Sequence, residues 1–176
     1  VLYTVTKSEV GGAQHVVLSL ASGLASHQFE TEVACGPGGQ LVDRCRERGI
    51  PVHIMPFDNP INPVRDGRAF LRLCELLKGG RYDIVHASST KAGILTLSAA
   101  RLMQVPVVLF TAHGLRAFFR PLNVASRAFW HLAERMYMSL AHVVVTVCRS
   151  DARLAFRRGI LDPGRTVTIY NGIDLG

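Results

Sequence analysis

Residues 107–114, Val107-Val108-Leu109-Phe110-Thr111-Ala112-His113-Gly114, decide how this chain folds. The run Val107 to Thr111 is apolar or β-branched throughout and reads as a buried strand, and the chain delivers His113 where that strand ends. Ligands of open parallel α/β sheets collect at the carboxyl ends of strands, so His113 is a site candidate by position as well as by chemistry. The following segment, Leu115-Arg116-Ala117-Phe118-Phe119-Arg120-Pro121, mixes guanidinium groups with large apolar side chains. As an exposed loop it suits an anionic or amphipathic ligand.

Similar apolar runs recur at Val1–Thr6, Thr31–Cys35, Val52–Pro56, Asp83–His86, Val105–Phe110, His142–Val147 and Thr166–Tyr170. Helix-period segments lie between them. Val16, Val17, Leu20 and Leu24 share one face, Leu71, Leu73, Cys74 and Leu77 a second, and Ile94, Leu95, Leu97 and Leu102 a third. A further helix near Val124–Leu140 is expected to bury most of Phe129, Trp130, Leu132 and Ala133. This alternation predicts an α/β fold, a Rossmann-like open parallel sheet with helices on both faces. Val143-Val144-Val145 fits an interior strand covered on both sides. Among the breakers, Gly36-Pro37-Gly38-Gly39 follows a strand, residues 58–63 form a loop before the third helix, and Lys78-Gly79-Gly80 closes that helix.

At 176 residues and 48% hydrophobic, the chain suits one domain with one full core. No run approaches the roughly 18 continuous apolar residues of a membrane span. Cys35, Cys45, Cys74 and Cys148 form no C-x-x-C pair and are expected as reduced, packed thiols, which fits a cytoplasmic protein. The net charge of +7 is unevenly placed: residues 101–176 carry ten Arg against four acids. Arginine without lysine favours bidentate contacts to phosphate or carboxylate, or an anionic membrane surface. The alternative to core burial of the apolar residues of the Val124–Leu140 helix is an amphipathic face involving Phe118, Phe119 and Trp130 that would make the membrane contact.

Besides the His113 strand end, two turns stand at carboxyl ends of strands. Gly11-Gly12-Ala13-Gln14 opens the first helix, where missing β-carbons let a ligand approach and free amides face an anion. It lacks G-x-G-x-x-G spacing, so it is no dinucleotide fingerprint. His86-Ala87-Ser88-Ser89-Thr90-Lys91 ends a strand and opens a helix that one of the hydroxyls is expected to cap. Lys91 sits where the helix dipole disfavours a cation, which gives weight to a ligand-facing role. His86 reads more as a core histidine than as a catalyst.

Taken together, Gly11-Gly12-Ala13-Gln14, Asp83-Ile84-Val85-His86, Ser89-Thr90-Lys91-Ala92-Gly93, Thr111-Ala112-His113-Gly114, Glu134-Arg135, Val145-Thr146-Val147-Cys148 and Tyr170-Asn171-Gly172-Ile173-Asp174 resemble one family in order along the chain. They are similar to the N-terminal half of retaining glycosyltransferases of family 4, also called glycosyl transferase group 1, which have the two-domain GT-B architecture. The resemblance implies an acceptor-binding domain over residues 1–170 and the start of a linker at 171–176, toward a donor-binding domain that carries a catalytic glutamate pair. The glutamates of this chain form no such pair.

By matching position, the resemblance makes His113 the catalytic-centre residue that hydrogen-bonds the reacting sugar. It puts Gly11 and Gly12 beside the donor phosphate or sugar. His86, Ser89, Thr90 and Lys91 would line the acceptor side, with Arg116 and Arg120 from the basic loop. Where the family often has a second histidine, this chain has Ser88. The implied partners are a nucleotide diphosphate sugar and a glycan or lipid-linked acceptor, without nucleic acid, metal or cofactor, at the cytoplasmic side of a membrane. Two other readings stay open at this point: a non-catalytic saccharide- or phosphosugar-binding module, and half of a nucleotide-sugar epimerase.

Overall fold

The computed structural model describes residues 1–9, 11–25, 27, 29–57, 61–115 and 123–172. Its strands and helices alternate: β1 (Leu2–Val5), α1 (Gly12–Ala25), β2 (Glu32–Cys35), α2 (Gln40–Glu47), β3 (Val52–Ile54), α3 (Pro63–Gly80), β4 (Ile84–Ser88), α4 (Thr90–Leu102), β5 (Val107–Ala112), α5 (Val124–Met138), β6 (Val143–Thr146), α6 (Arg149–Arg157) and β7 (Thr166–Thr168). All neighbouring strands pair in parallel, in the order β3-β2-β1-β4-β5-β6-β7. Each of the seven runs read as strands overlaps one, although β4 and β5 each continue two residues past the expected end. The fold is the expected Rossmann-like α/β sheet.

The chain moves outward from β1 to β3, returns through α3, and then builds the other half of the sheet from β4 to β7. The direction of winding therefore reverses between β1 and β4, which are hydrogen-bonded neighbours. Such a reversal opens a crevice at the carboxyl ends of the two strands. Two packed layers fix the sheet. Leu2, Leu73, Val85, Leu97, Phe110 and Tyr137 belong to one core, beneath α3 to α6, while Tyr3, Val17, Val33 and Leu41 form a second core beneath α1 and α2. Complete burial of a leucine such as Leu73 or Leu97 is worth about 2 kcal/mol.

Several inward faces are rotated from their expected positions. Leu20, Leu71 and Leu102 are exposed, whereas Ala21, Ala69, Ala99 and Ala100 are fully buried. Large apolar residues alone mark a helix face poorly when alanines occupy its closest contacts. The same applies to Gly93: a β-carbon there would stand 2.5 Å from the Phe110 ring. In α5, Phe129 and Leu132 face solvent rather than the core, because Glu134, Tyr137 and Met138 occupy the inward arc. Trp130 is partly buried against the core.

Coverage of the sheet is also unequal. Val143 and Val145 are half-buried and Val167 and Ile169 exposed, since α1 and α2 shield only the β1–β3 half of their face. The third helix ends differently from expectation as well. Gly79 and Gly80 lie within its last turn, and the left-handed position belongs to Arg81 at φ 45°. Gly80 is needed for packing, because a β-carbon would stand 2.3 Å from the Tyr82 ring. All four cysteines are free thiols, as expected. No described helix is long and apolar enough to cross a membrane.

Candidate functional site

The β1/β4 crevice is organised by hydroxyl groups. Ser89 precedes α4 with φ 93°, a conformation that L residues rarely adopt, and its side chain does not cap the helix. Instead Ser89 Oγ accepts from the Thr6 N–H at 3.1 Å and lies 2.7 Å from Thr6 Oγ1. Thr6 Oγ1 in turn accepts from the Ala92 N–H at 3.1 Å. The cap expected from Ser88, Ser89 or Thr90 thus comes from the end of β1, which fastens α4 to its neighbour strand across the crevice. Strain of this kind concentrates where the surroundings hold a site in shape.

A cavity of about 240 Å³ opens beside this joint, with Lys7, Gln14, Ser89, Thr90, Lys91 and His113 in its wall. His113 follows β5 directly, and its Nε2 is buried without a hydrogen-bond partner among the described residues. Burial also holds its pKa below the ordinary histidine value, so the ring is neutral near pH 7. A buried, unsatisfied ring nitrogen costs stability unless a ligand or water meets it. Neutral imidazole can meet a sugar hydroxyl with that nitrogen as donor or acceptor, according to its tautomer.

Lys91 reaches the same wall but is not a lone cation. Its Nζ lies 2.6 Å from Asp66 Oδ1, with the two side chains only 14% and 18% exposed. Asp66 Oδ2 also accepts from the Asn62 N–H, while Asn62 Oδ1 accepts from the Arg65 N–H. One carboxylate therefore closes the N-terminal cap of α3 and anchors Lys91. Lys7 pairs with exposed Glu9 at 2.8 Å, and Gln14 Nε2 donates to the Lys7 carbonyl.

The other expected site residues are distributed more widely. Gly12 has open space where a β-carbon would stand, yet Ala13 and Gln14 rather than the glycines line the His113 cavity. Gly11 borders a separate shallow recess with Gln14, His15 and Arg44. His86 is buried on β4 with Nε2 2.7 Å from Thr111 Oγ1 and its ring beside Tyr3. Burial pushes its pKa down to about 4, with a smaller contribution from His113. His86 borders a larger cavity of about 720 Å³ between α1 and β5–β7, near Thr111, Val145 and Tyr170. Arg116, Arg120, Phe118 and Phe119 lie outside the described residues.

Lys7, Thr6 and Asp66 were not selected from sequence. Lys7 could have been, since it follows β1 just as His113 follows β5. Asp66 offered no local signal, because its partner lies 25 positions along the chain.

The geometry defines a doubly wound α/β domain with a polar crevice at its topological switch point. Comparison with known proteins narrows the class: the family model of Glycosyltransferase Family 4 matches residues 10–176, and the chain belongs to that family. It is 29% identical over 166 residues to the Escherichia coli UDP-Gal:alpha-D-GlcNAc-diphosphoundecaprenol alpha-1,3-galactosyltransferase, covering 94% of this chain and 43% of that protein. A glycosyltransferase from Rickettsia africae ESF-5 superposes with a TM-score of 0.74 at 20% identity, covering 98% of this chain and 43% of that one. Anabaena Alr3699/HepE in complex with UDP and glucose gives 0.73 at 17% identity, covering 98% and 44%. The chain spans less than half the length of these relatives.

Proposed function

We propose that residues 1–170 are the acceptor-binding domain of a retaining glycosyltransferase, and that 171–176 begin the linker to its donor-binding domain. The full-length enzyme transfers a sugar from a nucleotide diphosphate sugar to a glycan or lipid-linked acceptor at the cytoplasmic side of a membrane. The single observation that carries this reading is the unpartnered His113 Nε2 in a cavity with Lys7 and Lys91 at the carboxyl edge of the sheet.

In this reading His113 hydrogen-bonds the sugar being transferred. Ser89, Thr90 and Lys91 line the acceptor side, His86 joins it from the neighbouring larger cavity, and Arg116 and Arg120 add cations from the basic loop. The Gly11-Gly12 turn faces the donor phosphate, where free amides oppose the charge that grows on the leaving diphosphate. The acceptor oxygen bonds to the anomeric carbon on the face from which the phosphate oxygen departs, and the acceptor proton passes to that phosphate. Configuration is thereby retained. The domain alone is inactive, because the donor sugar and the glutamate pair belong to the other half.

The test is a transfer assay on the full-length protein with nucleotide sugars and a diphosphate-lipid acceptor, with the new linkage read by NMR. Product with the donor's anomeric configuration supports the proposal; hydrolysis or epimerisation of the donor without transfer overturns it.

A further inference from the structure

Among the described residues, two lysines stand in the wall of the His113 cavity, and they differ in what holds them. Lys91 is locked: its Nζ and Asp66 Oδ1 stand 2.6 Å apart with both side chains mostly buried, so its charge is already answered inside the wall. Such a pair does not trade partners readily, because the abandoned carboxylate would lose its counter-charge in a poorly solvated place. Lys7 is held differently. Its partner Glu9 is 68% exposed and Lys7 itself 44%, and a pair so open to water contributes little. Exchanging Glu9 for another anion is therefore easy, since water takes over the released carboxylate.

The backbone that carries Lys7 is fixed on both sides. Before it, the Thr6 N–H donates to Ser89 Oγ at 3.1 Å, which ties the end of β1 to the start of α4. After it, Ser8 is buried, its Oγ donates to the Pro37 carbonyl at 3.0 Å, and its own carbonyl accepts from the Leu41 N–H at 2.9 Å. A β-carbon on Gly39 would overlap that Ser8 carbonyl, so the loop between β2 and α2 presses on this stretch with no side chain between. The Lys7 carbonyl accepts from Gln14 Nε2 at 3.1 Å. The mobile part is the side chain, a compact cation on a flexible stem with a fixed root. His113, neutral near pH 7, brings no charge of its own to this wall.

We infer that Lys7 exchanges Glu9 for a phosphate oxygen of the substrate and is a further binding residue of this site. The inference deepens the transferase reading and rests on it for the nature of the substrates, in which phosphate has two sources: the diphosphate of a lipid-linked acceptor and the diphosphate that leaves the donor. A charge-assisted hydrogen bond from an ammonium group suits both. Lys91, tied to Asp66, serves the wall as a hydrogen-bond donor rather than as a net charge.

Titration calorimetry of the full-length protein with a short-chain prenyl diphosphate and, separately, with UDP tests it without turnover. Lys7→Gln is expected to weaken at least one of the two by about tenfold or more, while Lys7→Arg keeps most of the affinity. Weakening of the prenyl diphosphate alone assigns Lys7 to the acceptor, and of UDP alone to the donor. Glu9→Gln removes the competing carboxylate and is expected to tighten the same ligand. Both positions are exposed, so unchanged circular dichroism and melting certify the fold. Wild-type affinity of Lys7→Gln for both probes, no gain in Glu9→Gln, or a wild type that binds neither probe each overturns the inference. Absence of sugar transfer by a wild type that binds through Lys7 counts against the transferase reading alone.

Discussion

Asp66 Oδ1 stands 2.6 Å from Lys91 Nζ while its other oxygen accepts the Asn62 N–H, so one carboxylate ties the start of α3 to the wall of the His113 cavity. Asp66→Asn keeps a hydrogen-bonding group at the cap and removes the charge that holds the ammonium. With both partners mostly buried, the loss of stability is expected at about 1–2 kcal/mol by urea denaturation. In the full-length enzyme the acceptor KM should rise more than kcat falls, because the change displaces a binding-wall residue. Unchanged stability and KM would show that the ion pair is incidental.

Thr6 makes two connections with one hydroxyl, capping α4 at Ala92 and holding strained Ser89. Thr6→Ala is expected to cost about 1–2 kcal/mol, in the range of a lost helix cap. Thr6→Ser keeps the hydroxyl and should restore most of that stability. Equal melting of the two variants would contradict the cap assignment.

Two glycine substitutions should act in opposite directions. Gly67→Ala, at an exposed helical position with open space around it, is expected to stabilise by up to about 1 kcal/mol through helix propensity. Gly93→Ala drives a methyl group into the Phe110 ring and is expected to cost about 1–3 kcal/mol. Chemical denaturation of the pair reads both signs directly.

The strand plan was legible because buried parallel strands are nearly continuous apolar runs. The helix faces were less so, because Ala69, Ala99 and Gly93 carry the closest packing and no hydropathy signal distinguishes them. Helices α2 and α6 were assigned no inward face: each is short, and α6 buries only Ala152 and Ala155. His113 was readable from its place after β5. Its joint with Thr6, Ser89 and Asp66 was not, since those contacts join residues that only the winding of the sheet brings together.

Stability should fall in acid through His86. The ring titrates at about 4 in the fold against 6.5 when unfolded, so the unfolded chain binds more protons between those values. The stabilisation is complete above about pH 6.5 and is lost as pH drops toward 4, up to about 3 kcal/mol by linkage. Burial of His113 adds a contribution of the same sign. Urea titrations from pH 7 to 4 check the slope, and His86→Asn should flatten it.

The central claim is that the buried ring nitrogen of His113 meets the sugar being transferred, and turnover of the His113→Ala full-length enzyme measures it most directly. A fall in kcat of at least about tenfold, equivalent to about 1.4 kcal/mol of transition-state stabilisation, is the expected result with folding intact. Near-normal kcat would remove His113 from the reacting centre and contradict the account.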